Sequence, residues 1–191
     1  MDAIDLLLTR VSNGKLGDPA PDEESLRLAL QAALRAPDHG LLRPWRILLI
    51  RGEARAQLGS VLREALQRRK PQATDQELDK EQAKPLRAPL LIVVAARVQP
   101  NPKAPEVEQI LAAGAAAQNI LLALHARGYA AMWRTGDGAY DPQVKQALGL
   151  EPADAIVGFI YAGTPRLPPP TFERATVDEH VREWTGPNTN S

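Results

Sequence analysis

The segment 106–128, EVEQILAAGAAAQNILLALHARG, constrains this chain more than any other. It reads as one long helix over 106–127, about 33 Å from end to end at 1.5 Å per residue. Glu106 and Glu108 sit at its start, where the helix dipole favours acids, and Gly128 follows its end, where a left-handed residue closes a helix. The run AAGAAAQN offers a smooth surface of small side chains that lets another helix or a ring approach closely. Two placements fit it equally: the central helix of one domain, or a helix buried against its twin in a dimer.

Four short apolar runs stand around this helix. Residues 47–50 and 90–96 are continuous apolar stretches bounded by charge, glycine or proline, the signature of buried strands. Residues 130–133 and 156–162 read the same way. Helices are expected over 2–10, from Asp22 as N-cap through 35, over 53–69, from Thr74 with Glu77 as a capping box to 84, and from Asp141-Pro142 to 148. The apolar stripe of the second would be Leu26, Leu30, Ala33 and Leu34; Ile4, Leu7 and Leu8 would share one face of the first. Helices first, then strands separated by helices, suggest a layered mixed α/β domain. Residues 1–165 make one domain, and 166–191, rich in proline and then polar, form an extension suited to packing on a partner.

Composition removes whole classes of chemistry. The chain has no cysteine, so disulfides, thiolate nucleophiles and sulfur-ligated metals are excluded. His39, His125 and His180 lie far apart, and no metal site is expected. Twenty-three basic and 23 acidic residues cancel, which predicts neither a nucleic-acid nor an anionic-membrane partner. No stretch reads as a membrane span or signal peptide, so a cytoplasmic location follows by default. There is no GxSxG, P-loop or GxGxxG, and no side-chain constellation for catalysis. Absence of such motifs favours a borrowed cofactor.

Three segments concentrate polar groups at element ends. Arg10, Val11, Ser12 and Lys15 join two cations and a hydroxyl at a helix end, a set suited to phosphate and equally to a solvated helix terminus. Arg35, Pro37, Asp38 and His39 lead through Arg43-Pro44-Trp45 into the first strand as a stiff polar loop. Trp133, Arg134 and Thr135 end a strand, with Trp133 and Arg134 on opposite faces.

Taken together these segments resemble the nitroreductase family, most closely its short YdjA-like branch. RVSNGKL is similar to the family's Arg-Arg-Ser signature with its following basic residue, and RAPDHGLLRPW to its alanine-proline turn and proline-tryptophan pair. VEQILAAGAAAQNILLALHARGYAAMWRTG resembles the branch's long helix, glycine turn and Trp-Arg-Ser strand end, and IVGFIYAGTP its last core strand. The likeness runs from Met1 to about Pro165.

The resemblance implies an α+β sandwich, a mainly antiparallel sheet flanked by helices, in an intertwined homodimer with two shared FMN sites. Arg10 and Ser12 would hold the ribityl-phosphate end, with Val11 adjoining and Lys15 assisting. Arg35 and His39 would contact flavin, the 37–39 loop reaching the partner's. Trp133, Arg134 and Thr135 would line the ring, and residues 123–128 would meet nicotinamide. Val11 stands where the family has a second arginine, Lys15 where the branch has arginine, and Thr135 where it has serine. Arg166, just past the last strand, is placed to replace a lost phosphate contact.

The expected activity is transfer of electrons from NADH or NADPH, through the flavin N5 and with no catalytic side chain, to a nitroaromatic, quinone or similar small-molecule acceptor. A flavin-binding or sensing protein, a flavin enzyme with other chemistry, and a cofactor-free interaction module remain alternatives.

Overall fold

Strand β3 (Leu90–Ala96) is the centre of the molecule, every one of its seven residues buried. Its side chains alternate between two cores. Leu90, Ile92, Val94 and Ala96 face one cluster; Leu91, Val93 and Ala95 face the other. A strand apolar at every position is thus the requirement of a sheet covered on both sides. The structure, a computed structural model, describes residues 2–187.

In chain order the elements are α1 (Ala3–Thr9), β1 (Leu16–Gly17), α2 (Glu23–Ala33), β2 (Trp45–Arg51), α3 (Glu53–Arg69), α4 (Asp75–Gln82), β3, α5 (Glu106–Ala126), β4 (Ala130–Arg134), α6 (Pro142–Ala147), β5 (Ala155–Pro165) and α7 (Val177–His180). Single 3₁₀ turns occupy His39–Leu41, Lys84–Arg87 and Asp137–Ala139. The sheet runs β1-β5-β3-β2, with β4 also paired to β5, and every pairing is antiparallel. This is the α+β sandwich expected. Helices α2 and α5 cover one face, with Leu26, Ala29, Ala113, Ala117 and Ile120 in the core; α3 and α6 cover the other, through Leu58, Leu62, Ala65 and Val144.

Local chemistry sets most of the boundaries. The Asp22 carboxylate accepts from the Ser25 amide at 2.7 Å, Thr74 and Glu77 form the reciprocal capping box, and Asp141 caps α6 ahead of Pro142. Gly128, at φ +82°, takes the left-handed conformation that turns the chain from α5 into β4.

Two expectations need correction, and one apolar surface stands open. The apolar stripe of α2 is Leu26, Ala29, Leu30 and Ala33, and Leu34 instead points outward as the helix C-cap, since the helix stops at Ala33 rather than 35. A two-residue strand, β1, stands at Leu16–Gly17, where no element was expected. Ile4, Leu7 and Leu8 of α1 do share an apolar character, yet none is buried within this chain.

By length and composition α5 alone among the described helices is long and apolar enough to cross a membrane. It instead packs between α2 and the sheet, and its Gln109 and Asn119 amides are satisfied there. Gln109 donates to the Gln99 and Ala104 carbonyls, and Asn119 to that of Ala32. One stripe of α5 is only partly covered: Val107 and Leu111 are exposed and Gly114, Gln118 and Leu122 half-buried, at helical spacing, and Leu111 is 65% exposed. A side chain added at Gly114 would meet only open space. Beyond Pro165 the chain carries Phe172, Val177, Val181 and Trp184, all exposed; 188–191 lie outside the described residues.

Candidate functional site

The first and third polar segments meet in space although more than 110 residues separate them. The Asn13 amide donates to the Ala131 carbonyl at 3.1 Å, which lays the 10–16 stretch along β4. At its other side the Arg166 amide donates to the Lys15 carbonyl at 2.8 Å, continuing the β1–β5 pairing, and the Asn13 side chain donates to the Leu167 carbonyl. Arg10, Val11, Ser12, Lys15, Arg134 and Arg166 are thereby gathered at one end of the sheet.

Two hollows flank the 10–16 stretch. The larger, about 270 Å³, is lined by Arg10, Val11 and Asn13, by Leu121 and His125 of α5, and by Tyr129–Ala131 with Pro165 and Pro169. His125 contacts Thr9 Oγ1 at 3.1 Å. Burial, and secondarily the Arg10 guanidinium, hold its imidazole below the ordinary histidine pKa, so the ring is neutral near pH 7. The smaller hollow, about 20 Å³, lies between Gly14, Leu16, Arg87, Met132, Arg134 and Tyr161. Burial raises the Tyr161 phenol, against the pull of the Arg87 and Arg134 guanidiniums.

The cations here form no ion pairs. None of the ion pairs among the described residues uses Arg10, Lys15, Arg87, Arg134 or Arg166. Elsewhere arginines are paired, as Arg69 with Asp137 and Asp141. A group of unpaired cations beside Ser12 and bare glycine backbone matches the donor set a phosphate dianion requires.

Trp133 and Arg134 do point to opposite faces. Val94 faces Gly158 and Ala95 faces Ile156, so Val157 is the extra residue of a β-bulge. Trp133 Nε1 donates to the Val157 carbonyl at 3.2 Å, and its indole fills the space above Gly158, where any Cβ would collide with it. Its ring packs against the α2–α5 core. Arg134 turns to the other side, with Nε on Met132 Sδ, and Thr135 is exposed.

The second segment is elsewhere. His39 Nδ1 pairs with Glu108 at 2.5 Å, which docks the 37–39 loop on the N-terminal half of α5 beside Leu111 and Ala115. From Glu108 to His125 the axis of α5 runs about 25 Å. His39 and the Arg10 hollow of one chain therefore stand at opposite ends of α5. The loop is stiff: Asp38 accepts from the Arg43 amide at 2.7 Å, while Leu41 and Arg43 hold positive φ values of 55° and 50°. Leu41, at its apex, is 78% exposed. Arg35 is exposed at the end of α2, with no side-chain partner among the described residues. Arg87 belongs to no motif, and Tyr161 stood within the last core strand with nothing in the sequence to mark it as a site residue. Only the fold brings them to Arg134.

Fold and site together define an antiparallel sheet between helical layers, with an anion-seeking cleft at the sheet's end and a strained loop aimed away from it. Residues 7–164 match the model described as the Nitroreductase family, and the chain belongs to that family. It is 40% identical over 167 residues to the Escherichia coli K12 protein named "Putative NAD(P)H nitroreductase YdjA", covering 87% of this chain and 90% of that one. A nitroreductase-like family protein from Bacillus cereus superposes with a TM-score of 0.83 at 25% identity, over 97% of both chains. The Desulfovibrio desulfuricans protein named "putative nitroreductase", solved in complex with FMN, superposes with a TM-score of 0.73 at 27% identity, over 98% of this chain and 99% of that one.

Proposed function

We propose that this chain is an FMN-dependent oxidoreductase working as a homodimer, which passes electrons from NADH or NADPH to a nitroaromatic, quinone or similar small acceptor. The observation that carries the reading is the joining of the 10–15 and 133–135 segments around cations that no acid neutralises. The FMN-bound relative supports the choice of cofactor. FMN held here would supply the redox chemistry, carrying a hydride equivalent from NADH or NADPH to the acceptor in a ping-pong cycle.

This chain's residues do the holding. Arg10 and Ser12 grip the phosphate end, Lys15 adds a point charge, and Val11 contributes only backbone. Arg134 and Thr135 border the ring. The neutral His125 and the apolar wall of the larger hollow leave room for the nicotinamide beside residues 123–128.

Surface area supports the dimer. The chain exposes 11952 Å², against roughly 8,900 Å² for a compact monomer of its 20.8 kDa mass. An excess of roughly 3,000 Å² is on the scale that obligate interfaces cover. Two copies of α5 packed antiparallel along their open stripe bring the His39 loop of each to the Arg10 end of the other. The 166–191 extension, with its uncovered Phe172 and Trp184, packs on the partner in the same arrangement. The family 1–165 unit and that extension then act as one assembly.

The test is direct. The purified protein is yellow, releases FMN on denaturation, and oxidises NAD(P)H with a nitroaromatic acceptor in parallel-line kinetics. A flavin-loaded dimer without turnover would sink the reductase reading and leave a flavin-binding protein. Arg10→Ala sheds FMN while keeping the fold; undiminished retention refutes the phosphate assignment.

A further inference from the structure

Resting on the FMN reading, we propose that Glu108 is a positioning residue for the shared flavin site: it holds the imidazole of His39 so that Nε2 is presented to the flavin of the partner subunit.

The pair joins a loop to a helix. His39 Nδ1 lies 2.5 Å from Glu108 Oε2. A carboxylate only accepts, so Nδ1 carries the proton, and the other ring nitrogen is left for a second contact. Nε2 has no hydrogen bond among the described residues. Among those residues no other hydrogen bond ties 37–42 to α5. One carboxylate therefore sets the orientation of the ring and the place of its proton, as an outer partner does for a histidine that binds a metal.

Glu108 is held in turn. It lies in the first turn of α5, and its neighbour Gln109 is buried. The Gln109 amide donates to the Gln99 and Ala104 carbonyls, and its oxygen accepts from the Gln99 backbone, which fastens the start of the helix. Glu106, in the same turn, is exposed and makes no ion pair among the described residues. An acid that serves only the helix dipole needs no partner, and Glu108 has one. The loop keeps a frame of its own, with Asp38 on the Arg43 amide and positive φ at Leu41 and Arg43. Loss of Glu108 thus frees the His39 ring and leaves both supports standing.

The surroundings suit a contact that becomes covered. Pro37, Leu111, Ala112 and Ala115 line a hollow of about 260 Å³ around the pair. The His39 and Glu108 side chains are 55% and 42% exposed in the single chain. Antiparallel packing of two α5 helices covers this apolar rim, and the withdrawal of water strengthens the hold of the carboxylate on the ring.

The experiment titrates flavin-stripped, full-length protein with FMN, comparing wild type, Glu108→Ala, Glu108→Gln, His39→Ala and the double variant Glu108→Ala/His39→Ala. Glu108→Ala weakens FMN binding about tenfold, the scale of one hydrogen bond to a charged group. Glu108→Gln keeps an acceptor oxygen for Nδ1 and recovers most of the loss. Once His39 is replaced, Glu108→Ala adds nothing further, because it acts only through that ring. Thermal unfolding and sedimentation stay as in wild type. Additive losses, or undiminished affinity in either single variant, overturn the inference alone. A loss that follows a lowered unfolding midpoint and is not rescued by glutamine marks a structural role and overturns it as well. A wild-type chain that takes up no flavin overturns both it and the FMN reading.

Discussion

Replacing Leu111 by aspartate tests the shared-site arrangement at its centre. Leu111 lies in the N-terminal half of the stripe on α5, between the His39 loop and Gly114, and is 65% exposed in the single chain. Fully burying a leucine contributes about 1.5–3 kcal/mol, so covering what remains exposed contributes about 1–2 kcal/mol per copy. A two-fold interface counts the residue twice, which gives about 2–4 kcal/mol per dimer. Loss of that burial alone weakens association roughly 30- to 1,000-fold. Two carboxylates stranded in an apolar seam push it further. Within the single chain the change faces solvent and should alter stability by no more than about 0.5 kcal/mol. Sedimentation velocity over a concentration series, read with flavin absorbance, follows both consequences. Leu111→Asp is expected to dissociate and to shed FMN together, because the 37–39 loop leaves the partner's site. A variant that sediments as wild type and keeps its flavin would refute the placement of α5 at the interface.

Other outcomes follow from single contacts. Gly59→Ala drives a methyl into the Gln82 carbonyl oxygen, where α3 meets α4; a loss of about 1–3 kcal/mol in urea unfolding is expected, and an unchanged midpoint would show that α4 moves freely. His125 supplies a pH dependence. Its folded pKa lies below the ordinary 6.5, so the unfolded chain takes up the proton first. Its contribution is complete above pH 6.5 and is lost as the pH falls through 6.5 toward the folded value. His125→Gln should therefore lessen the drop in unfolding midpoint between pH 7.5 and 5.5. An equal drop in the two proteins would remove His125 as its source.

Elements whose cause is local were legible residue by residue. β3 and α3 have the boundaries expected from their patterns, and the caps at Asp22, Thr74 and Asp141 form the bonds their side chains predict. Misreadings share one origin. Leu34 had helical spacing, yet its exposure was decided by where α2 ended. Two residues of β1 show no periodicity, and their pairing depends on Thr164 and Pro165, far along the chain. Nor does any residue in the loop announce positive φ at Leu41 and Arg43; the Asp38 contact and the docking of His39 impose it.

The candidate site divides along the same line. Composition alone removed thiol chemistry, and the motif spacing named the segments at 10–15, 35–39 and 133–135. Side-chain type and short-range order carry that information, because caps, periodicity and turn residues act over four residues or fewer. Tertiary structure decided which segments share a site. Antiparallel pairing laid Asn13 on Ala131 and Arg166 on Lys15, and sent the His39 loop to the other end of a helix about 30 Å long. It also set Tyr161 near Arg134 through the pairing of β4 with β5, and Arg87 near Tyr161 through that of β3 with β5.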